Sequence, residues 1–215
     1  MDKKHLVVAG NIGAGKSTLV SMICDRFGWK AYYEPVAQNP YLEKFYRDMR
    51  RWSFHSQVFF MTHRVKSHHS LAGDPHSVVQ DRSIYEDAEV FARNLYEGGL
   101  MDDDDYRSYR ELYHLFTQLL PVPDLVIYLQ ASVHTLQRRI AQRGREFEAD
   151  IAPDYLENLN RLYQQWIDGF DLAPVLSVPG DELDFVKNSE DLHRILDGVE
   201  ARLRDSQKLL FPDGV

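Results

Sequence analysis

Short apolar stretches rich in β-branched residues alternate along the chain with longer segments whose apolar residues recur every three or four positions. The short stretches predict five strands, at residues 5–10, 30–34, 77–81, 124–130 and 175–178. The longer segments predict helices at 16–27, 41–50, 52–70, 84–96, 106–120, 133–143, 153–170 and 191–203. Because strands alternate with helices and several strands are apolar throughout, we expect an α/β fold, with five parallel strands in one sheet and helices on both faces.

Composition and charge limit the kinds of molecule that we expect this protein to bind. The 215 residues are 44% hydrophobic and 27% charged, which is typical of a globular protein, and we expect a single domain over 1–215. The net charge of −8 argues against a nucleic-acid partner. No apolar run is long enough to span a membrane, so we expect no membrane partner. The single cysteine, Cys24, cannot form an internal disulfide, and we expect a cytoplasmic protein.

Residues 10–17 fit the phosphate-binding pattern G-x-x-x-x-G-K-[ST], between a predicted strand and a predicted helix. In such a loop the backbone N–H groups and the helix N-terminus bind phosphate oxygens. Lys16 would reach the β- and γ-phosphates of a nucleoside triphosphate, and the Ser17 hydroxyl would bind Mg²⁺. The loop alone does not choose between a kinase, a switch GTPase and an ATP-driven motor. The structural alternative is a glycine-rich turn without a ligand. The predicted phosphate-binding residues are Gly10, Asn11, Ile12, Gly13, Ala14, Gly15, Lys16, Ser17 and Thr18.

Charged residues follow the second and third predicted strands. Glu34 ends the second strand, and Asp81 and Arg82 end the third. Ligands of parallel sheets bind at the carboxyl ends of the strands, so these groups are expected near Lys16. A carboxylate there can orient a hydroxyl and accept its proton, a second can hold Mg²⁺, and an arginine can stabilise a transferred phosphate. The alternatives are a strand-end cap and an exposed ion pair.

Arginines crowd the end of the predicted helix 133–143 and the turn after it. Arg139 and Arg143 lie four residues apart on one helix face, and Arg138 and Arg145 flank them. Arginine binds phosphate oxygens with fork geometry, so the cluster favours an anionic ligand. We expect a mobile lid at about 143–152 and a C-terminal tail at about 204–215. The alternative is a set of cations at a helix C-terminus, balanced by nearby acids.

Aromatic residues are concentrated between positions 45 and 60, and most of them are expected in the core. Tyr46, Gln57 and Arg64 are the polar members of this region. Gln57 and Arg64 lie seven residues apart on one helix face, and a glutamine amide can pair with the edge of a flat heterocycle. These three residues predict an acceptor pocket for a planar ligand.

Several motifs together resemble those of the deoxynucleoside kinases, the P-loop family of deoxyadenosine, deoxyguanosine and deoxycytidine kinases. They read GNIGAGKST at 10–18, EPV at 34–36, RWSFHSQ at 51–57, DRSIYEDAEVFARNLYE at 81–97 and RGR at 143–145. The resemblance covers about residues 6–196. It implies the P-loop kinase fold with an arginine-rich lid, and ATP-dependent phosphorylation of the 5′-hydroxyl of a deoxynucleoside.

The resemblance also implies a role for each matching residue. Glu34 contacts the 5′-hydroxyl as base, Arg82 assists the phosphate, and Ser17 and Asp81 belong to the Mg²⁺ site. The implied nucleoside contacts are Gln57 at the base edge, the Arg64–Asp87 pair near the base, Phe91 stacked on the base, and Tyr46 and Glu148 at the 3′-hydroxyl. The implied donor contacts are Arg139, Arg143 and Arg145 at the phosphates, and Asp184 and Phe185 along the adenine.

Two departures and two rival readings accompany this resemblance. Many relatives have Glu at the position of Asp81 and an aromatic residue at that of Ser56. The Arg64–Asp87 pair favours deoxyadenosine or deoxyguanosine as the acceptor, with deoxycytidine as the alternative. The rival functions are a thymidylate-kinase-like monophosphate kinase and a nucleotide-gated binding protein.

We also expect a homodimer, because residues 52–70 and 84–96 carry more apolar surface than one sheet face needs.

Overall fold

The computed structural model describes residues 3–33, 38–148 and 151–209. Five parallel strands form one sheet in the order β2-β3-β1-β4-β5. The strands are β1 His5–Gly10, β2 Lys30–Tyr32, β3 Val78–Asp81, β4 Leu125–Gln130 and β5 Val175–Pro179. The parallel α/β sheet expected from the alternation of strands and helices is confirmed.

Helices connect successive strands. They are α1 Lys16–Phe27, α2 Leu42–Arg47, α3 Met49–Gly73, α4 Ile84–Glu86, α5 Arg93–Glu97, α6 Asp103–Thr117, α7 Val133–Arg143, α8 Pro153–Gly169 and α9 Ser189–Leu209. A π-helical segment, Asp87–Ala92, joins α4 to α5, and Glu146–Glu148 form a short 3₁₀ turn. Within the described ranges, none of the helices has both the length and the apolar character needed to cross a membrane.

The helix boundaries differ from the expected ones where a polar side chain caps a helix. The Asp48 carboxylate accepts a hydrogen bond from the Arg51 backbone N–H at 3.2 Å, and α3 therefore starts at Met49, separate from α2. Asp102 accepts from the Asp105 backbone N–H at 2.8 Å, so α6 begins three residues before the expected start. Helix α9 continues to Leu209 and includes the first part of the expected tail, whereas residues 210–215 lie outside the described ranges.

The core occupies both faces of the sheet, because successive side chains of a strand point to opposite sides. Leu6 and Val8 of β1 pack with residues of α1, α7 and α9. Val7 and Ala9 pack with residues of α3, α6 and α8 on the other face. These four side chains are at most 1% exposed. Full burial of a side chain such as Leu or Val contributes about 1.5–3 kcal/mol, which explains why β1 is apolar throughout.

The strand register brings the phosphate-binding loop beside the end of β3. Val8 pairs with Asp81 across β1 and β3, and the Arg82 backbone N–H donates to the Val8 carbonyl at 3.1 Å. The loop that follows β1 therefore begins next to Asp81 and Arg82. Glu34 follows β2 in the sequence and lies outside the described residues.

Candidate active site

The phosphate-binding loop lies against β4, α7 and α8. Gly13 has φ +81°, and a Cβ there would lie 2.9 Å from the Leu136 carbonyl oxygen, so only glycine fits the space and the backbone conformation. The Asn11 side chain donates to the Leu156 carbonyl at 3.0 Å and to Asn160 Oδ1 at 2.8 Å. Both of these partners belong to α8, which therefore fixes the start of the loop.

Lys16, Ser17 and Asp81 form the polar centre of the site. Lys16 Nζ donates to the Asn11 carbonyl at 3.0 Å, and Ser17 Oγ donates to Asp81 Oδ2 at 2.5 Å. Asp81 Oδ1 is buried and has no hydrogen-bond partner among the described residues. A hydroxyl oxygen beside an unpaired carboxylate oxygen suits a hard cation such as Mg²⁺, which takes oxygen ligands.

Arg82 has an unusual backbone for its residue type. Its φ is +67°, the one positive value at a non-glycine residue within 3–33, 38–148 and 151–209. Such a conformation costs of the order of 1–3 kcal/mol and is often found at active sites. The guanidinium lies over the Phe91 ring, with Cζ 4.0 Å from the ring centroid. The strained turn thus directs Arg82 into a cavity beside Asp81.

That cavity has a volume of about 260 Å³ and lies on one side of Lys16. Most of the side chains expected to bind the acceptor and the phosphates line it. They are Lys16, Ser17, Tyr46, Gln57, Asp81, Arg82, Asp87, Phe91, Arg143, Arg145 and Glu148. Residues from the expected base-binding, catalytic and lid segments are thus brought to one place. We call this space the acceptor cavity.

Arg64 and Asp87 form a buried ion pair behind the acceptor cavity. Arg64 Nε donates to Asp87 Oδ2 at 3.0 Å, and Nη2 to Oδ1 at 3.4 Å. Arg64 Nη1 also donates to the Asp81 carbonyl at 2.9 Å. Arg64 does not itself line the cavity, but its contacts connect Asp87 with the end of β3.

Tyr46 and Glu148 line the acceptor cavity near Arg143, on the side where the lid is expected. Glu148 is buried and pairs with Arg143, and also with Arg145 at 3.2 Å. Burial, and then the nearby Tyr155 and Glu148, raise the pKa of Tyr46. Sequence reasoning missed Tyr155, which lines the cavity and whose pKa is raised to about 12 by burial. No sequence motif includes Tyr155, because only the packing of α8 brings this residue to the cavity.

A second cavity, of about 640 Å³, lies on the other side of Lys16, and we call it the donor cavity. The expected ATP-binding residues that line it are Gly13, Gly15, Lys16, Ser17, Thr18, Arg139, Arg143, Arg145, Asp184 and Phe185. Four of these residues, Lys16, Ser17, Arg143 and Arg145, also line the acceptor cavity. The two cavities therefore meet at these four side chains.

Three residues of the donor cavity also hold its loops together. Arg139 donates to the Ala14 carbonyl and to the Gly180 carbonyl, both at 2.9 Å. Burial lowers the pKa of Arg139, and neighbouring Arg138 lowers it further. Asp184 accepts from the Lys187 backbone N–H at 3.2 Å, while Phe185 is buried against the loop.

Two expected features fall partly or wholly outside the described ranges. The expected base, Glu34, lies outside these ranges, and so do Ala149 and Asp150 of the expected lid. Sequence reasoning also missed Glu86, a fully buried carboxyl group bonded to Ser83 and to the backbone of Gly10. The spacing S-x-x-E of Ser83 and Glu86, typical of a helix capping box, was the available signal.

The fold, with its phosphate-binding loop between two joined cavities, is that of a P-loop phosphotransferase. Comparison with known proteins is consistent with this class. The family model described as deoxynucleoside kinase matches residues 6–204, and the chain belongs to that family.

Relatives and solved structures lead to the same family. The chain is 39% identical to the deoxyadenosine/deoxycytidine kinase of Bacillus subtilis, over 94% of each chain. It is 37% identical to the deoxyguanosine kinase of the same organism, over 88% of this chain and 93% of that one. A solved structure of the deoxyadenosine kinase of M. mycoides, with the products dCMP and a flexible dCDP bound, matches with a TM-score of 0.82. That match has 31% identity and covers 92% of this chain and 99% of the other.

The expectation of a deoxynucleoside kinase with the P-loop kinase fold is therefore confirmed. The roles of individual residues, the metal, the lid and the oligomeric state stay predictions.

Proposed function

We propose that this kinase transfers the terminal phosphate of ATP to the 5′-hydroxyl of deoxyadenosine or deoxyguanosine, with deoxycytidine as the alternative acceptor. The observation that supports it is the junction of the two cavities at Lys16, Ser17, Arg143 and Arg145. A donor phosphate at this junction would lie beside an acceptor hydroxyl in the smaller cavity.

The acceptor cavity offers groups suited to a nucleoside base. Gln57 is buried and can pair its amide with the edge of the base, while Phe91 offers a ring face for stacking. Asp87 carries the charge that Arg64 neutralises, and its carboxylate can accept from an exocyclic amino group. We assign Tyr46 and Glu148 to the 3′-hydroxyl, since both lie at the lid side of the cavity.

Phosphoryl transfer depends more on the positioning of the two reactants and on compensation of negative charge than on covalent chemistry by the protein. We assign to Glu34 the orientation of the 5′-hydroxyl and the acceptance of its proton. Lys16, Arg82 and the lid residues Arg143 and Arg145 would stabilise negative charge on the phosphate as it moves. All four of these cations line the acceptor cavity.

The donor cavity offers the remaining contacts. The backbone N–H groups of residues 10–18 and the N-terminus of α1 would bind the phosphates of ATP. Arg139 lies in the wall of this cavity and would add charge there, and Asp184 and Phe185 would lie along the adenine. We expect the segment 143–152 to close over the donor as a lid, which would exclude water from the phosphate.

Mg²⁺ fits the site formed by Ser17 and Asp81. Both residues present oxygen atoms, and Asp81 Oδ1 lacks a hydrogen-bond partner in the described part of the chain. When bound, Mg²⁺ neutralises charge on the donor phosphates. We propose that the Ser17 hydroxyl and the Asp81 carboxylate hold it, directly or through water.

A panel of acceptors tests the proposal. The four deoxynucleosides and their 5′-monophosphates are incubated with ATP and Mg²⁺, and ADP release is measured at steady state. We expect the highest kcat/KM for deoxyadenosine or deoxyguanosine and no turnover of monophosphates. A preference for thymidine would overturn the assignment of Arg64 and Asp87, and turnover of a monophosphate would favour a thymidylate-kinase-like acceptor.

We further propose a cytoplasmic homodimer that binds no nucleic acid. Leu115 and Leu119, on and after α6, are 53% and 72% exposed, and Phe59 of α3 is half-buried. Apolar surface of this kind is reduced when two copies associate. The lone free cysteine, Cys24, suits a reducing compartment, and the charge of −8 opposes binding to nucleic acid.

A further inference from the structure

Glu86 is a fully buried carboxyl group that none of the assignments above uses. It lies in α4, directly after the turn formed by Asp81, Arg82 and Ser83. Its Oε2 accepts from the Ser83 backbone N–H at 2.9 Å and faces the Ser83 hydroxyl at 3.3 Å. Its Oε1 accepts from the Gly10 backbone N–H at 3.2 Å. Glu86 therefore joins the start of the phosphate-binding loop to the turn that carries Arg82.

The Tyr163 hydroxyl on α8 completes this cluster. Its oxygen lies 2.7 Å from the Gly10 carbonyl oxygen and 2.9 Å from Glu86 Oε1. A tyrosine hydroxyl has one proton, so it can donate to only one of these two oxygens. The Gly10 carbonyl has no proton of its own, so Tyr163 donates to it, and the remaining contact with Glu86 Oε1 is then favourable only when Glu86 carries a proton. The geometry therefore indicates a neutral Glu86 that donates to Tyr163.

The surroundings of Glu86 shift its pKa in opposite directions. Burial raises the pKa of Glu86, whereas the charges of Arg82 and Lys16 oppose that shift. On the remaining sides Tyr163 of α8 and Tyr128 of β4 face the group, with their rings stacked at a centroid distance of 5.7 Å. Both hydroxyls have raised pKa values because they are buried, so they add no charge near neutral pH.

Glu86 also fixes the backbone directly after the strained residue Arg82, and the Val8 carbonyl holds the backbone of Arg82 itself. The N–H of Arg82 is held by the Val8 carbonyl, and the N–H of the next residue, Ser83, by Glu86. A positive φ at a non-glycine residue persists only where surrounding contacts enforce it. Loss of the Glu86 contact would let the turn relax, and the Arg82 guanidinium would leave its place over Phe91.

We propose that Glu86, as a neutral carboxylic acid, is a positioning residue that holds Arg82 toward the transferred phosphate. The inference rests on the role proposed above for Arg82. It extends the site to α8, because Tyr163 ties Glu86 and the phosphate-binding loop to the helix that follows the lid segment.

Kinetics of Glu86 variants test the proposal, with the melting temperature recorded for each. Glu86→Ala should lower kcat about 10- to 100-fold, because a small displacement of a catalytic group has effects of that size, with little change in KM for the nucleoside. Glu86→Gln should keep most of kcat and the wild-type pH profile. Its carbonyl can accept from Ser83 and its amide can donate to Tyr163, which leaves only the longer Gly10 contact unmatched.

Glu89→Ala is the matched control. Glu89 lies three residues further along and pairs with Arg110 at 2.7 Å, on the other side of the segment from the loop. Its removal should leave kcat unchanged.

A double-mutant cycle with Arg82→Ala separates this inference from the proposed function. We expect Arg82→Ala to lower kcat and Glu86→Ala to add little to it, since both changes remove the same interaction. If Arg82→Ala retains wild-type kcat, the role of Arg82 itself is wrong. If Arg82→Ala is impaired but Glu86→Ala is not, only the present inference fails.

The protonation state is tested directly by ¹³C NMR of glutamate carboxyl carbons, with the Glu86 signal assigned from Glu86→Gln. A signal that stays in the protonated position through pH 7 supports the proposal. An ionised signal at pH 7, or a folded Glu86→Gln protein with kcat lowered tenfold or more, overturns it. Both readouts apply even if Glu86→Ala does not fold.

Discussion

Arg64 shows what a single residue contributes in this molecule. One guanidinium binds the Asp87 carboxylate through Nε and the Asp81 carbonyl through Nη1. The residue types and the helical spacing from Gln57 suggested a polar pocket, but the contact with the β3 backbone has no sequence signal. A buried pair of this kind is costly to break, about 3–5 kcal/mol when one partner is removed, so Arg64 and Asp87 act as a unit.

At the same scale, Glu34 is the residue whose substitution tests the assigned reaction. Glu34→Gln should lower kcat about 100-fold, because it removes the group assigned to accept the hydroxyl proton, while ATP affinity is retained. Steady-state kinetics and nucleotide titration measure the two effects. Glu43→Gln, an exposed change on α2, is the control and should leave kcat unchanged. Near-normal turnover of Glu34→Gln would refute the role.

A buried histidine pair makes stability depend on pH. His68 Nε2 lies 2.7 Å and His5 Nε2 3.0 Å from Gln80 Oε1. Burial, and then the neighbouring His5, lower the pKa of His68 to about 3. The unfolded chain takes up a proton below its ordinary pKa of about 6.5, and the folded chain does so only near 3. The contribution of His68 to the free energy of unfolding is therefore complete above about pH 6.5 and is lost as the pH falls toward 3, by up to about 1.4 kcal/mol per pH unit.

His68→Gln should reduce this loss, because the variant lacks the titrating group. Urea titrations give the free energy of unfolding at pH 7 and at pH 5, and the difference between these two free energies measures the loss. His69→Gln, an exposed neighbour, should show the wild-type difference. An unchanged difference in His68→Gln would show that His68 does not titrate as argued.

At the scale of elements, the helix expected at 84–96 is continuous but contains a π-helical segment, Asp87–Ala92. Apolar periodicity cannot distinguish a π turn from an α turn over so few residues, so the sequence predicted one regular helix. The segment carries both Asp87 and Phe91, which line the acceptor cavity. A wider turn at this place is a frequent feature of functional sites.

The phosphate-binding loop offers a test at the same scale. Gly13→Ala should raise KM for ATP about tenfold or more, since its Cβ would meet Leu136 and displace the loop, and it should also destabilise the fold by about 1–2 kcal/mol of backbone strain. Gly28→Ala is the matched control, because Gly28 also has positive φ, +68°, but no atom lies within 4 Å of its added Cβ. The control should lose stability and keep KM. Equal KM values in the two variants would contradict the steric argument.

At the scale of the whole molecule, the exposed side chains of α6 predict self-association. Light scattering at micromolar concentration should give about twice the mass of one chain. The physical reason is that Leu115 and Leu119 lose their contact with water when two copies pack together. Leu119→Lys should shift the equilibrium toward the monomer, because it places a charge in the proposed interface. A monomer of the wild-type protein at all concentrations would contradict the dimer.

The sequence by itself determined the order of strands and helices, the phosphate-binding loop and the family, because each of these depends on residues close together in the chain. Only the tertiary structure decided which distant groups meet. Tyr163 and Gly10 are 153 positions apart and share a hydrogen bond, and Arg143 and Arg145 line both cavities although their own segment gives no sign of a junction. Such contacts follow from how α7 and α8 pack against the sheet, and local patterns of apolar and polar residues do not specify that packing.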